Sequence, residues 1–229
     1  MTAAGVPREA VVWRVPLDVP DGQADRLGAR LSPDERARAA AYAVERDRRR
    51  FVVSRGRLRE ILACELGADP TALAFEVGRH GKPRVAGLGF SLSRSAGLAL
   101  VAVAPTPGVG VDLERCRDSL DVDQTARHAF GPAERRALDA LPPASRRRGF
   151  FAGWTRKEAL LKAWGTGLAR PLDSFAVSLD PDAPAAFLSD AHDPSAPARW
   201  TLRDLDVGPG FAAAIALPGG GWSVALRDA

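Results

Sequence analysis

The chain has 229 residues, of which 46% are hydrophobic and 26% charged, and a formal net charge of +4. It can bury about 70% of its extended-chain surface, as one large domain or two small ones, and no apolar run approaches the ~20 residues that cross a bilayer. Two cysteines and three scattered histidines exclude a disulfide framework and a His- or Cys-based zinc site.

Val11–Val15 reads as a strand. Ser32 opens a helix with Pro33 at its first position and Glu35 at the third, the spacing of a capping box. A second helix runs from about Asp47 to Leu66 and stops at Gly67; Cys64 within it is expected in the core. Leu73–Val77 reads as a strand, followed by Phe90–Ser93 and the apolar run Gly97–Ala104, of buried-strand type. After the break at Pro105–Gly108 the pattern restarts: strand Val109–Glu114, a helix from Gly131, a long helix Arg146–Trp164, strand Asp173–Val177, a loop over Pro181–Ala198 and three closing strands. Residues Met1–Ala10 lack the order of a signal peptide, and the expected location is cytoplasmic.

Pro33, Glu35, Arg36, Phe51 and Arg57 recur 99 positions later as Pro132, Glu134, Arg135, Phe150 and Arg156. With the repeated order of elements, this predicts an α+β fold built as a pseudo-twofold pair of α/β subdomains, 1–107 and 108–229, with a ligand site between them.

Only three lysines stand against 29 arginines: Lys82, Lys157 and Lys162. A compact ammonium suits a narrow pocket that a guanidinium fork does not. In the strand Val109–Glu114, Gly110, Asp112 and Glu114 share one face and the apolar residues the other. Adjacent carboxylates repel, and a hard divalent ion, Mg²⁺ before Mn²⁺, relieves that; alternatively they are solvated or pair with Arg115 and Arg117. Glu158 and Lys162 lie four apart on the long helix, with Lys157 beside them. They read either as a surface pair or as a third metal ligand with a phosphate-binding cation. Arg46–Arg55, Arg79–Pro83 and Phe90–Ser95 add cationic and hydroxyl groups of the kind that bind phosphates, although an arginine run is also compatible with a solvated face.

The order Gly81-Lys-Pro83, Phe90-Ser-Leu-Ser-Arg-Ser95, Gly110-Val-Asp-Leu-Glu114 and Trp154-Thr-Arg-Lys-Glu-Ala-Leu-Leu-Lys162 resembles the 4′-phosphopantetheinyl transferases. Its length and duplication resemble the surfactin-synthetase-activating (Sfp-like) type. The resemblance implies transfer of phosphopantetheine from coenzyme A to a serine of an acyl or peptidyl carrier protein, with release of 3′,5′-ADP. It implies that Asp112, Glu114 and Glu158 hold Mg²⁺, with Glu158 the first candidate for the base. Lys162 would contact the pyrophosphate, and Lys157 would steady the cofactor or the developing charge. Ser93 and Arg94 would meet phosphates, and Lys82, Pro83, Arg50 and Arg55 would form the 3′-phosphate pocket. Arg94 stands where the family commonly has His, which makes phosphate binding less dependent on pH.

The expected partner is an acidic carrier domain met by a basic monomer, with neither nucleic acid nor membrane involved. Two other classes compete: a non-catalytic coenzyme A or nucleotide-binding protein, which needs the arginines but not three carboxylates, and a basic nucleic-acid binder, for which no motif is present.

Overall fold

Alternation along the strands sorts the apolar residues of this mixed α+β protein into layers. The computed structural model describes residues 8–229; the reading of the N-terminal start as lacking a signal peptide rests mainly on residues outside that range. The chain runs β1 (Arg8–Pro16), α1 (Asp21–Gly28), α2 (Pro33–Ala40), α3 (Glu45–Leu66), β2 (Glu76–Val77), β3 (Pro83–Arg84), β4 (Gly89–Ser95) and β5 (Leu98–Ala104). It continues with β6 (Gly110–Arg115), α4 (Val122–Ala129), α5 (Pro132–Asp139), α6 (Pro143–Trp164), β7 (Phe175–Val177), β8 (Phe187–Asp190), β9 (Trp200–Asp204), β10 (Phe211–Pro218) and β11 (Trp222–Asp228).

One sheet has the order β11-β1-β5-β4 and a second the order β6-β10-β9. The last strand, β11, returns to lie parallel to β1. Val15, Val101 and Val103 face α3 residues such as Val53, Leu58 and Leu62. On the other side of the first sheet, Val12, Leu100 and Ala102 meet Val111, Leu113 and Ile215 of the second. The far face of the second sheet, with Ala214 and Ala216, carries α6 through Phe150, Phe151 and Leu160. The layers are therefore helix, sheet, sheet, helix. Each fully buried Val, Leu, Ile or Phe side chain stabilises this stack by about 1.5–3 kcal/mol.

The capping box at α2 forms: Glu35 N donates to Ser32 Oγ at 3.3 Å, and Ser32 N to Glu35 Oε2 at 3.0 Å. At α5 only the glutamate half exists, since Gly131 has no side chain; Gly131 N donates to Glu134 Oε2 at 2.9 Å. Both glutamates then reach a long helix. Glu35 receives Arg59 Nε at 2.6 Å and Arg55 Nε at 2.9 Å, while Glu134 pairs with Lys157 Nζ at 2.8 Å. Residues 99 apart thus perform the same connecting role, α2 to α3 and α5 to α6.

Several local expectations change. Cys64 is exposed, because its position on α3 lies on the solvent side while Leu62 and Ala63 point inward. The segment expected as loop contains β8, which pairs with β7. Of Leu73–Val77 only Glu76 and Val77 are strand, joined to β3 in a short hairpin. The helices α1 and α4 were not anticipated; α4 begins where Gln124 N donates to Asp121 Oδ1 at 2.9 Å.

Candidate functional site

Gly110 allows the site to form. A Cβ at this position would lie 2.1 Å from Ala159 O and 2.3 Å from Ala163 N, so α6 rests directly on the backbone of β6. Ala159 and Ala163, both buried, supply the small helix face that matches it. One residue before each of them come Glu158 and Lys162, four apart, alongside Asp112 and Glu114 of β6. The close approach makes neighbours of side chains 50 and 69 residues apart: Lys162 Nζ donates to Asp112 Oδ1 at 2.7 Å and to Ser93 Oγ at 2.8 Å.

Asp112 is 4% exposed, and its second oxygen, Oδ2, is buried with no hydrogen-bond partner. Burial and the nearby Asp112 push the Glu114 carboxyl up, against hydrogen bonds from Ser95 and the Trp154 indole. Burial raises Glu158 as well, with repulsion from Asp112 and Glu114 opposed by Lys162. The three carboxylates therefore feel one another. Among the described residues they do not stand as a closed metal-ligand set, and the Lys162 ammonium holds one Asp112 oxygen.

A cleft of about 340 Å³ opens beside Lys162. Arg38 of α2, Phe51 and Arg55 of α3, and Arg94 of β4 line it from one side; the His80–Pro83 turn and the C-terminal end of α6 line it from the other. The guanidiniums of Arg38 and Arg94 lie 5.6 and 5.3 Å from the Phe51 ring centre, and that of Arg55 lies 5.1 Å from Phe75. Such cation–π contacts hold each positive group in place without consuming its charge.

Lys82 borders the cleft with its stem, while its ammonium donates to Val109 O at 2.8 Å and Pro107 O at 3.1 Å, with Ala163 O at 3.5 Å. It ties the hairpin to the segment before β6 and to the end of α6. Burial, with repulsion from Arg84, pushes the Lys82 ammonium down to about 8.

Three of the expected ligand contacts are not assembled. Lys157 is fully buried on another face of α6, donating to Leu172 O and Phe175 O at 2.6 Å each and paired with Glu134. All three of its donors go to protein oxygens and none points into the cleft lining. Ser93 is 6% exposed, and its hydroxyl accepts from Leu113 N and Lys162 while donating to Asp112. With its hydrogen-bonding capacity filled, Ser93 has none left for a phosphate. Arg50 lies outside the cleft lining and forms a two-point pair with Asp18 at 2.7 and 2.8 Å. Arg55, Lys82, Pro83 and Arg94 line the cleft, although Arg55 is also engaged by Glu35 and the Lys82 ammonium by backbone carbonyls.

The residues not singled out were Arg38 and Phe51, and Ser95 was noted only as part of the Phe90–Ser95 run. Serines at 91, 93 and 95 show the period of one strand face, a signal present in the sequence. Arg38 carried no such signal, because only the packing of α2 on α3 brings it to the cleft.

A partly buried group of carboxylates is thus joined through one lysine to an arginine-lined cleft, an arrangement able to receive an anionic ligand. Residues 108–216 match the model of the 4′-phosphopantetheinyl transferase superfamily. The chain is 40% identical over 220 residues to the 4′-phosphopantetheinyl transferase HetI of Nostoc sp., covering 93% of this chain and 90% of that one. It is 31% identical over 190 residues to a 4′-phosphopantetheinyl transferase of Bacillus subtilis, with 80% and 83% covered. It is 26% identical over 211 residues to the transferase Sfp of Bacillus subtilis (strain 168), with 89% and 90% covered. The chain belongs to the 4′-phosphopantetheinyl transferase superfamily and is an enzyme of that class.

Proposed function

We propose that this enzyme transfers the 4′-phosphopantetheine group of coenzyme A to a serine of an acyl or peptidyl carrier protein, releasing 3′,5′-ADP in a Mg²⁺-dependent reaction. The observation that carries this reading is Lys162, which lines the cationic cleft and also grips Asp112 beside Glu114 and Glu158.

The residues present fit a hard divalent ion. The donors are all carboxylate oxygens, their crowding costs energy, and the unpartnered buried Asp112 Oδ2 is an atom that such an ion would satisfy. Asp112, Glu114 and Glu158 would hold it, and when bound it neutralises phosphoryl oxygens. Arg38, Arg55 and Arg94 attract the phosphates. Lys82 and Pro83 border that end of the cleft. Lys162 spends two of its three donors on Ser93 and Asp112, leaving one for the pyrophosphate. Glu158, which feels both Asp112 and Glu114, is the first candidate for the base. It takes the carrier serine's proton as the new O–P bond forms and the bond from phosphorus to 3′,5′-ADP breaks.

The wider reading is a cytoplasmic monomer of the Sfp-like type that serves an acidic carrier, with its halves divided at residues 107 and 108. A net charge of +4 and a cleft lined from both halves of one chain support it. Among the described residues no helix is long and apolar enough to cross a membrane. Mass spectrometry of apo carrier proteins incubated with enzyme, coenzyme A and Mg²⁺ tests the reaction. One added phosphopantetheine is expected, and none with Glu158→Gln. No mass gain on any peptidyl, polyketide or fatty-acid carrier would refute the reading.

A further inference from the structure

The strand β6 is an edge of its sheet, so one row of its backbone N–H groups has no strand partner. The hydroxyls of Ser91, Ser93 and Ser95 on β4 fill that row. Val111 N donates to Ser91 Oγ at 3.1 Å, Leu113 N to Ser93 Oγ at 3.2 Å and Arg115 N to Ser95 Oγ at 2.9 Å. The offset is 20 residues at every step, so the two strands run in the same direction and side-chain oxygens take the place of a backbone ladder.

Once a serine oxygen accepts a backbone N–H, its own hydrogen must find another acceptor. Ser93 donates to Asp112 Oδ1 at 2.8 Å, and Ser95 donates to Glu114 Oε2 at 3.0 Å. Ser91 faces the level of Gly110, which offers no carboxylate, and its only hydrogen bond among the described residues is the one from Val111 N. The same joint between sheets therefore orients a carboxylate at two of its three rungs.

We infer that Ser93 and Ser95 are positioning residues for the metal-binding carboxylates: each hydroxyl, locked by a β6 amide, aims one carboxylate oxygen through a charge-assisted hydrogen bond. This rests on the metal reading given under the proposed function. Outer contacts of this type commonly change metal affinity by about 10- to 100-fold. The joint also carries a built-in control, because Ser91→Ala and Ser95→Ala each remove one amide acceptor but only the latter frees a carboxylate.

The test titrates Mn²⁺ alone into the full-length protein and reads free Mn²⁺ by electron paramagnetic resonance, with Tm measured in parallel. Ser95→Ala is expected to bind Mn²⁺ roughly 10-fold more weakly than wild type. Ser91→Ala should lower Tm while keeping wild-type affinity, and Ser95→Thr, which retains the hydroxyl, should restore binding. Wild-type affinity in Ser95→Ala, or an equal loss in Ser91→Ala, overturns the positioning role. Asp112→Ala separates the two levels: if it binds Mn²⁺ as wild type does, the metal reading itself fails and the inference falls with it. Should Ser95→Ala fail to fold, Ser95→Cys, with its weak donor, replaces it under the same criteria.

Discussion

Lys162 Nζ stands 2.7 Å from Asp112 Oδ1, joining the anion cleft to the acid cluster through one ammonium. Both are mostly or fully buried, so removing the cation leaves Asp112 uncompensated beside Glu158. Lys162→Met should lower kcat/KM for coenzyme A by about 100- to 1,000-fold, the scale of losing one preorganised charge at a reacting phosphate. Lys162→Arg should not restore it, because a planar fork cannot meet Ser93, Asp112 and a ligand in the geometry of a tetrahedral ammonium. Steady-state kinetics decide the matter, and an unaltered kcat/KM in Lys162→Met would remove Lys162 from the reaction.

Gly110→Ala tests the contact that assembles the site. Its Cβ would meet backbone atoms of α6, at 2.1 Å from Ala159 O, and no side chain can rotate away to relieve the overlap. The helix must lift from β6. We expect a stability loss at or above the upper end of the roughly 1–3 kcal/mol of ordinary overpacking, read by urea unfolding. Activity should fall further than stability alone explains, since Glu158 and Lys162 move with the helix. A fully active, fully stable variant would contradict this account.

Glu35 links acid pH to unfolding. Burial alone would raise its carboxyl, but the Ser32 amide and the guanidiniums of Arg59 and Arg55 outweigh it and hold the group below the usual range. A depressed carboxyl stabilises the fold above its unfolded value of about 4.3, and the contribution disappears as pH falls through the lower folded value. Glu35→Gln leaves the buried Arg59 and the half-buried Arg55 guanidiniums without their carboxylate, at a cost of about 3–5 kcal/mol near neutral pH. Urea midpoints should show wild type and variant converging as the solution is acidified. A gap independent of pH would exclude the ion pair as its source.

For Lys157 the expectation is structural. Lys157→Met should lower Tm, because Glu134, Leu172 O and Phe175 O lose their shared donor in a dry site, again at about 3–5 kcal/mol. At temperatures where the variant remains folded, KM for coenzyme A should match wild type. A rise in KM without a loss of Tm would return Lys157 to the cofactor.

Much of the site was legible in the chain because its residues lie on regular elements. A strand period of two placed Asp112 and Glu114 on one face, and a helix period of about four placed Glu158 with Lys162. Each of the three ammoniums sits among oxygen acceptors, carbonyls for Lys82, carbonyls and Glu134 for Lys157, and Ser93 with Asp112 for Lys162. What the scarcity did not reveal was which lysine faces the cleft. Lys157 and Lys162 are five residues apart, and only the packing of α6 distinguishes the core-facing cation from the cleft-facing one.

The amino-acid order by itself determined most of the element types, though not α1, α4 or β8, together with the repeated glutamates and the acids that share one strand or helix face, since these depend on period and local hydrogen bonding. Tertiary structure alone decided which arginines reach the cleft, that Arg50 and Ser93 are engaged elsewhere, and that β11 completes the first sheet. Those outcomes depend on which faces come together across tens of residues. Contact between distant segments is governed by packing volume, as the missing Cβ of Gly110 shows, and such a constraint has no local signature.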